Sequence, residues 1–88
     1  MAGTLRCTVL SPDGEVFDGE VSFVEAHALD GRLGILPGHA PLITALGKGP
    51  LRVTLENSED RNWSVSGGFL EVLANHVSVV AEGLREKT

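Results

Sequence analysis

Histidine is the side chain best suited to proton transfer and zinc binding near neutral pH, and this sequence has three: His27, His39 and His76. None lies three to five residues from another histidine or from the lone Cys7, the spacing that zinc sites use. No metal site is therefore expected. His39 sits in Pro37-Gly38-His39-Ala40-Pro41, a rigid turn between two expected strands. In such a place a histidine hydrogen-bonds the turn or faces a partner more often than it acts as a general base. Gly47-Lys48 suggests a phosphate loop, but that motif needs a glycine five positions before its second glycine and a hydroxyl after the lysine. Leu42 and Gly49 occupy those places, so the segment reads as a plain turn. Ser66-Gly67-Gly68 lacks the glycine two positions before the serine that a nucleophile elbow requires, and no helix clearly follows. Adjacent glycines there indicate a bulge or a close backbone approach. Glu71 lies in the apolar run Phe69-Leu70-Glu71-Val72-Leu73 with no second carboxylate beside it. It reads as a residue at a solvated edge, or one paired with Arg or Lys. No catalytic residue and no cofactor site is expected.

The elements that position these residues read as short strands. Turn signals recur about every eight to twelve residues, as in a sandwich or barrel. They are Pro12-Asp13-Gly14, Asp18-Gly19, Asp30-Gly31, Pro37-Gly38, Gly47-Lys48-Gly49-Pro50, Asn57-Ser58, Gly67-Gly68 and Ala74-Asn75-His76. Between them apolar residues recur at every second position: Leu5, Cys7 and Val9; Leu51, Val53 and Leu55; Trp63 and Val65; Val77 and Val79. That period gives each strand one core face. Residues 69–82 also fit one face of a helix, but Asn75-His76 and the β-branched Val77-Ser78-Val79-Val80 favour two strands. Trp63, the only tryptophan, is assigned to the core. Glu56, Glu59, Asp60 and Arg61 surround an exposed hairpin tip, while Glu15, Asp18 and Glu20 form a solvated face.

Eighty-eight residues make one domain with a small core. We assign residues 1–83 to that domain and 84–88 to a short polar tail. The net charge is −5, with only seven Lys and Arg spread along the chain, which argues against a nucleic-acid surface. One cysteine permits no internal disulfide and fits a reducing compartment. The first six residues lack the apolar core of a secretory signal, and no apolar run reaches the ~20 residues that span a bilayer.

Four segments, in order, carry a resemblance that covers nearly the whole chain. They are Val9-Leu10-Ser11-Pro12-Asp13-Gly14-Glu15-Val16-Phe17-Asp18-Gly19, Gly34-Ile35-Leu36-Pro37-Gly38-His39-Ala40-Pro41-Leu42, Ser66-Gly67-Gly68-Phe69-Leu70-Glu71-Val72 and Asn75-His76-Val77-Ser78-Val79-Val80-Ala81. Gly47 to Gly49 precedes a strand, as in the same pattern. Together they resemble the N-terminal β domain of the epsilon subunit of F-type ATP synthases, called delta in mitochondria. The resemblance implies an all-β fold, a flattened antiparallel β-sandwich of short strands, and so favours strands for residues 69–82. It implies a non-catalytic subunit at the foot of the central stalk, binding gamma and the membrane c ring and joined through the complex to the catalytic alpha and beta subunits. Such a subunit couples proton flow to ATP synthesis. In bacteria it is peripheral to the cytoplasmic face of the inner membrane, without inserting. By the same resemblance Asp30, Gly31 and Arg32 form the turn that meets the c ring, while Ser11, His39 and Thr44 face gamma. Family members continue into a C-terminal helical hairpin that can inhibit hydrolysis and bind ATP. The sequence ends at Thr88, so neither hairpin inhibition nor an ATP site is expected. An unrelated β binding module, for a peptide or a sugar, is the alternative. A sugar-binding face usually shows exposed aromatics, which are few here, and that alternative leaves the ordered signatures unexplained.

Overall fold

In a computed structural model, residues 3–87 are described, and they form nine strands and no helix. The strands are β1 (Leu5–Ser11), β2 (Gly14–Ala28), β3 (Gly31–Ile35), β4 (Leu42–Leu46), β5 (Gly49–Leu55), β6 (Asp60–Val65), β7 (Gly67–Leu73), β8 (His76–Glu82) and β9 (Arg85–Lys87). Hydrogen bonding runs in the order β1-β8-β7-β4-β2-β5-β6-β9, with β3 and β1 also on β2. The result is an all-β sandwich. Every pairing is antiparallel except β1 with β8, which is parallel. A pairing across most of the chain leaves no mark in local periodicity, which is why the expectation of a purely antiparallel sheet needs this amendment.

The 15-residue β2 belongs to both layers. Its first half pairs with β1, and its second half lies between β3 and β5. The change of partner needs a change of face. Val21 is opposite Leu55 and Phe23 opposite Thr54, so Ser22 is an extra residue, a β-bulge. Across it the buried set shifts from Val21 to Val24 and Ala26. The Ser22 hydroxyl donates to the Thr54 carbonyl at 3.3 Å, which holds the bulge. Asp18-Gly19, which has the composition of a turn, lies inside β2 instead. There Arg6 Nε donates to the Asp18 carboxylate at 2.7 Å, and Thr8 stands directly opposite. Those cross-strand bonds favour the extended chain over a turn.

The core lies between the layers. Leu5, Cys7, Val9, Leu51, Val53, Trp63, Val65, Val77 and Val79 are buried, which matches the period-two reading, whereas Leu55 is only half-buried; Leu70, Val72 and Ala81 add to the core. Trp63 is 2% exposed and meets the half-buried Phe17 edge to face, with ring centroids 5.8 Å apart. Residues 69–82 are two strands, β7 and β8, joined by Ala74 (φ 49°) and Asn75 (φ 62°). Two consecutive positive φ values match the right-handed twist of the flanking strands. Gly68 (φ 137°) lies between β4 and β8, and a Cβ there would overlap the Val80 carbonyl oxygen. This is the close backbone approach that the paired glycines indicated. Arg85–Lys87, in the segment assigned to a polar tail, forms a fully exposed edge strand on β6. Thr88, the end of that segment, and the first two residues lie outside the described residues.

Candidate partner-binding surfaces

The outer face of the β1-β8-β7-β4 layer is unusually apolar for a surface open to solvent. Residues directly opposite in a sheet share a face, and Ala45, Phe69 and Val80 are opposite one another across three strands. Ile43 and Leu73 continue this patch at two-residue steps, and Ile43, Phe69, Leu73 and Val80 are 70, 60, 56 and 50% exposed. Glu71, opposite both Ile43 and Ser78, is the one carboxylate among them and is exposed. Contiguous exposed apolar area of this kind is what interaction sites on small domains share.

The β2–β3 hairpin forms the second feature. Ala28 pairs with Gly31, so Leu29 and Asp30 are the two-residue tip, and Leu29 is 75% exposed. Gly31 has φ 140°, which side-chain-bearing residues rarely adopt. Arg32 is anchored by Nε at 3.3 Å from Glu25, which also holds Arg52 at 2.9 Å. Arg52 in turn reaches Asp60 at 3.5 Å and lies over the Phe23 ring. These ties fix the base of the hairpin and leave Asp30 and Arg32 exposed.

The structure brings Thr44 together with Asp30, Gly31 and Arg32. All four line a shallow depression of about 310 Å³, closed by Ala28, Leu33 and Leu42. Thr44 is opposite the buried Leu70, so its side chain points toward the interlayer side, unlike its neighbour Ile43. Ser11 and His39 sit elsewhere and serve local structure. Ser11 Oγ donates to the Gly14 carbonyl (3.1 Å) and accepts from the Asp13 amide (3.2 Å), which locks the β1–β2 turn. The His39 ring contacts its Ala40 carbonyl at 2.7 Å, while its backbone amide donates to Leu36. The Gly38 amide donates to the Asn75 side chain, tying that turn to the β7–β8 turn. The Asn75 carbonyl accepts from the Arg6 amide near the start of β1. Ser11 and His39 therefore stand at opposite ends of the apolar outer face, roughly 17 Å apart along the strands.

The titratable groups point to structure rather than chemistry. Cys7 is fully buried, and desolvation pushes its thiol up to about 12. A thiol held neutral is a poor nucleophile. Asp18 is held below the usual carboxylate range, mainly by its hydrogen bond from Arg6. Among the described residues no group of three His, Cys, Asp or Glu is placed to hold a metal ion. The apolar outer face is the feature that sequence reasoning missed. Its signal was present as apolar residues at the positions that alternate with the core, such as Phe69, Leu73 and Val80.

Fold and surfaces together define a small β-sandwich with an exposed apolar face and an exposed charged hairpin. The chain belongs to the ATP synthase delta/epsilon family: the model of that family's β-sandwich domain matches residues 4–87. Two solved assemblies contain chains of the same fold. One is in the Euglena gracilis mitochondrial ATP synthase, a structure of OSCP/F1/c-ring in rotational state 1. It has TM-score 0.89 and 22% identity, over 94% of this chain and 53% of that one. The other is in the central stalk/c-ring of the Tetrahymena thermophila mitochondrial ATP synthase. It has TM-score 0.74 and 23% identity, over 94% of this chain and 66% of that one. The chain thus spans between about half and two thirds of these structural relatives.

Proposed function

We propose that this chain is a non-catalytic rotor component of an F-type ATP synthase, linking gamma to the c ring so that ring rotation reaches the catalytic alpha and beta subunits. The observation that carries the reading is the family match over residues 4–87, in a fold whose outer face leaves Ile43, Phe69, Leu73 and Val80 exposed among the described residues. Gamma would seat on that face, with the Ser11 and His39 turns at its two ends and Thr44 beside its Ile43 edge. Asp30, Gly31 and Arg32 would meet the polar loops of the c ring. The sandwich would act as one rigid unit, with the Arg85–Lys87 edge strand held on β6 as part of it. The subunit would be peripheral to the membrane complex, in a bacterium on the cytoplasmic face of the inner membrane. A coupling element must resist shear, and a sandwich with cross-tied turns supplies that stiffness.

The test is Arg32→Glu, which reverses the charge of an exposed residue at the ring-facing hairpin. Its salt bridge is solvent-exposed, and such pairs contribute about 0–1 kcal/mol, so the fold survives. Proton-driven ATP synthesis in membrane vesicles falls by more than the loss of folded protein accounts for. Unchanged synthesis would sink the ring-facing assignment.

A further inference from the structure

Four of the seven cationic side chains are engaged by carboxylates: Arg6 by Asp18 and Glu20, Arg32 by Glu25, Arg52 by Glu25 and Asp60, and Arg61 by Glu86. The remaining three, Lys48, Arg85 and Lys87, have no ion pair among the described residues. All three line one depression of about 280 Å³, together with Ser64 and Ser66.

Strand register explains the convergence. Pro50, Ser64 and Arg85 are directly opposite one another across β5, β6 and β9. Lys87 is opposite Asn62, one two-residue step along the same face. Gly49 is opposite Val65, so Lys48 and Ser66 flank the other end. Gly83 (φ 63°) turns the chain from β8 toward β9 against the Ser66 side chain, where any Cβ would overlap Oγ. That fixes Arg85 at the rim. Neither Ser64 nor Ser66 has a side-chain hydrogen-bond partner among the described residues. Asp60, farther along the same face, is already engaged by Thr54 Oγ1 at 2.8 Å and by Arg52. Glu86 is opposite Trp63 and binds Arg61, on the other face.

We propose that this depression binds a phosphate group. Three uncompensated positive charges on a chain of net charge −5 form a local anion trap rather than a generally basic surface. An arginine fork can engage two phosphate oxygens at once, and two lysines add compact charges. Two free hydroxyls supply further donors. Three cations and two hydroxyls around one small, open depression suit a compact anion such as phosphate or pyrophosphate. The phosphate can come free in solution or on a lipid headgroup.

Calorimetric titration of the full chain with inorganic pyrophosphate at low salt tests this, with flotation on phosphatidylcholine vesicles containing phosphatidic acid as a second arm. Saturable one-site binding is expected. Arg85→Gln on the exposed edge strand weakens it about tenfold, the scale of one lost charge-assisted contact. Lys48→Gln with Arg85→Gln and Lys87→Gln abolishes it. Arg6→Gln removes the same charge elsewhere and changes affinity by less than about twofold, because screening weakens distant charges. Vesicle binding that pyrophosphate displaces identifies a lipid source, and pyrophosphate binding without vesicle binding identifies a free one. The proposal is overturned if pyrophosphate neither binds nor displaces vesicles. It is equally overturned if Arg6→Gln costs as much affinity as Arg85→Gln. Unchanged Trp63 emission confirms that the variants are folded.

Discussion

Gly67 and Gly68 are neighbours, yet replacement by alanine is expected to be severe at one and nearly neutral at the other. At Gly68 a Cβ overlaps the Val80 carbonyl oxygen and lies 2.8 Å from Ala81 Cα, and φ is 137°. The atoms in the way are backbone of β8, so no side-chain rotation relieves the overlap. An L-residue held in that region of φ/ψ costs about 1–3 kcal/mol, and overpacking adds typically about 1–3 kcal/mol. If β7 shifts instead, ladder bonds to β4 or β8 break at about 0.5–1.5 kcal/mol each. Together Gly68→Ala loses about 2–6 kcal/mol. A domain of this length has a total stability of about 4–13 kcal/mol, so the variant is marginal or unfolded. The nearest atom to a Cβ on Gly67 is the Leu46 carbonyl oxygen at 3.7 Å, an ordinary contact. Gly67→Ala therefore stays within about 1 kcal/mol of the parent. Urea unfolding followed by the single, buried Trp63 measures both. If Gly68→Ala unfolds within about 1 kcal/mol of the parent, the close approach of β7 and β8 is wrong.

Three further outcomes follow from the packing and the surfaces. Phe69→Asp, on the exposed outer face, changes stability by less than about 1 kcal/mol but weakens binding to purified gamma in a pull-down; undiminished gamma binding would remove that face from the interface. Trp63→Ala empties the centre of the core and costs about 3–5 kcal/mol, read from the urea midpoint by circular dichroism. Cys7 has a raised folded pKa, so its contribution is complete below the unfolded thiol pKa of about 8.5 and is lost as pH rises toward the folded value of about 12. In that window stability falls by up to about 1.4 kcal/mol per pH unit for this one proton, and Cys7→Ala flattens the slope; an equal slope in both proteins would contradict it.

Period-two alternation made the core legible in the sequence, because a strand with one buried face must repeat at that interval. The turns at Asp30-Gly31 and Ala74-Asn75 were legible for a similar reason, since few residues accept their dihedrals. Asp18-Gly19 misled because cross-strand bonds from Arg6 and Thr8 outweigh a local turn preference. The Ser22 bulge did leave a trace, since the buried valines at 21 and 24 are three apart rather than two. Parallel pairing of β1 with β8 left none. The convergence of Lys48, Arg85 and Lys87 could not be read either, because it depends on the order of β5, β6 and β9 in the sheet. Ser11, His39 and Thr44 came from resemblance alone, and the geometry separates them: two bracket the outer face and one lines the depression beside Arg32.

The central claim, a stalk component that docks through its β-sandwich, is tested most directly by purifying the tagged chain from its own cells in mild detergent and identifying by mass spectrometry what accompanies it. The account predicts gamma, the catalytic subunits and the c ring in the eluate, and their loss with Phe69→Asp. A clean monomer with no ATP synthase subunits would contradict it, leaving a shared fold with a different use.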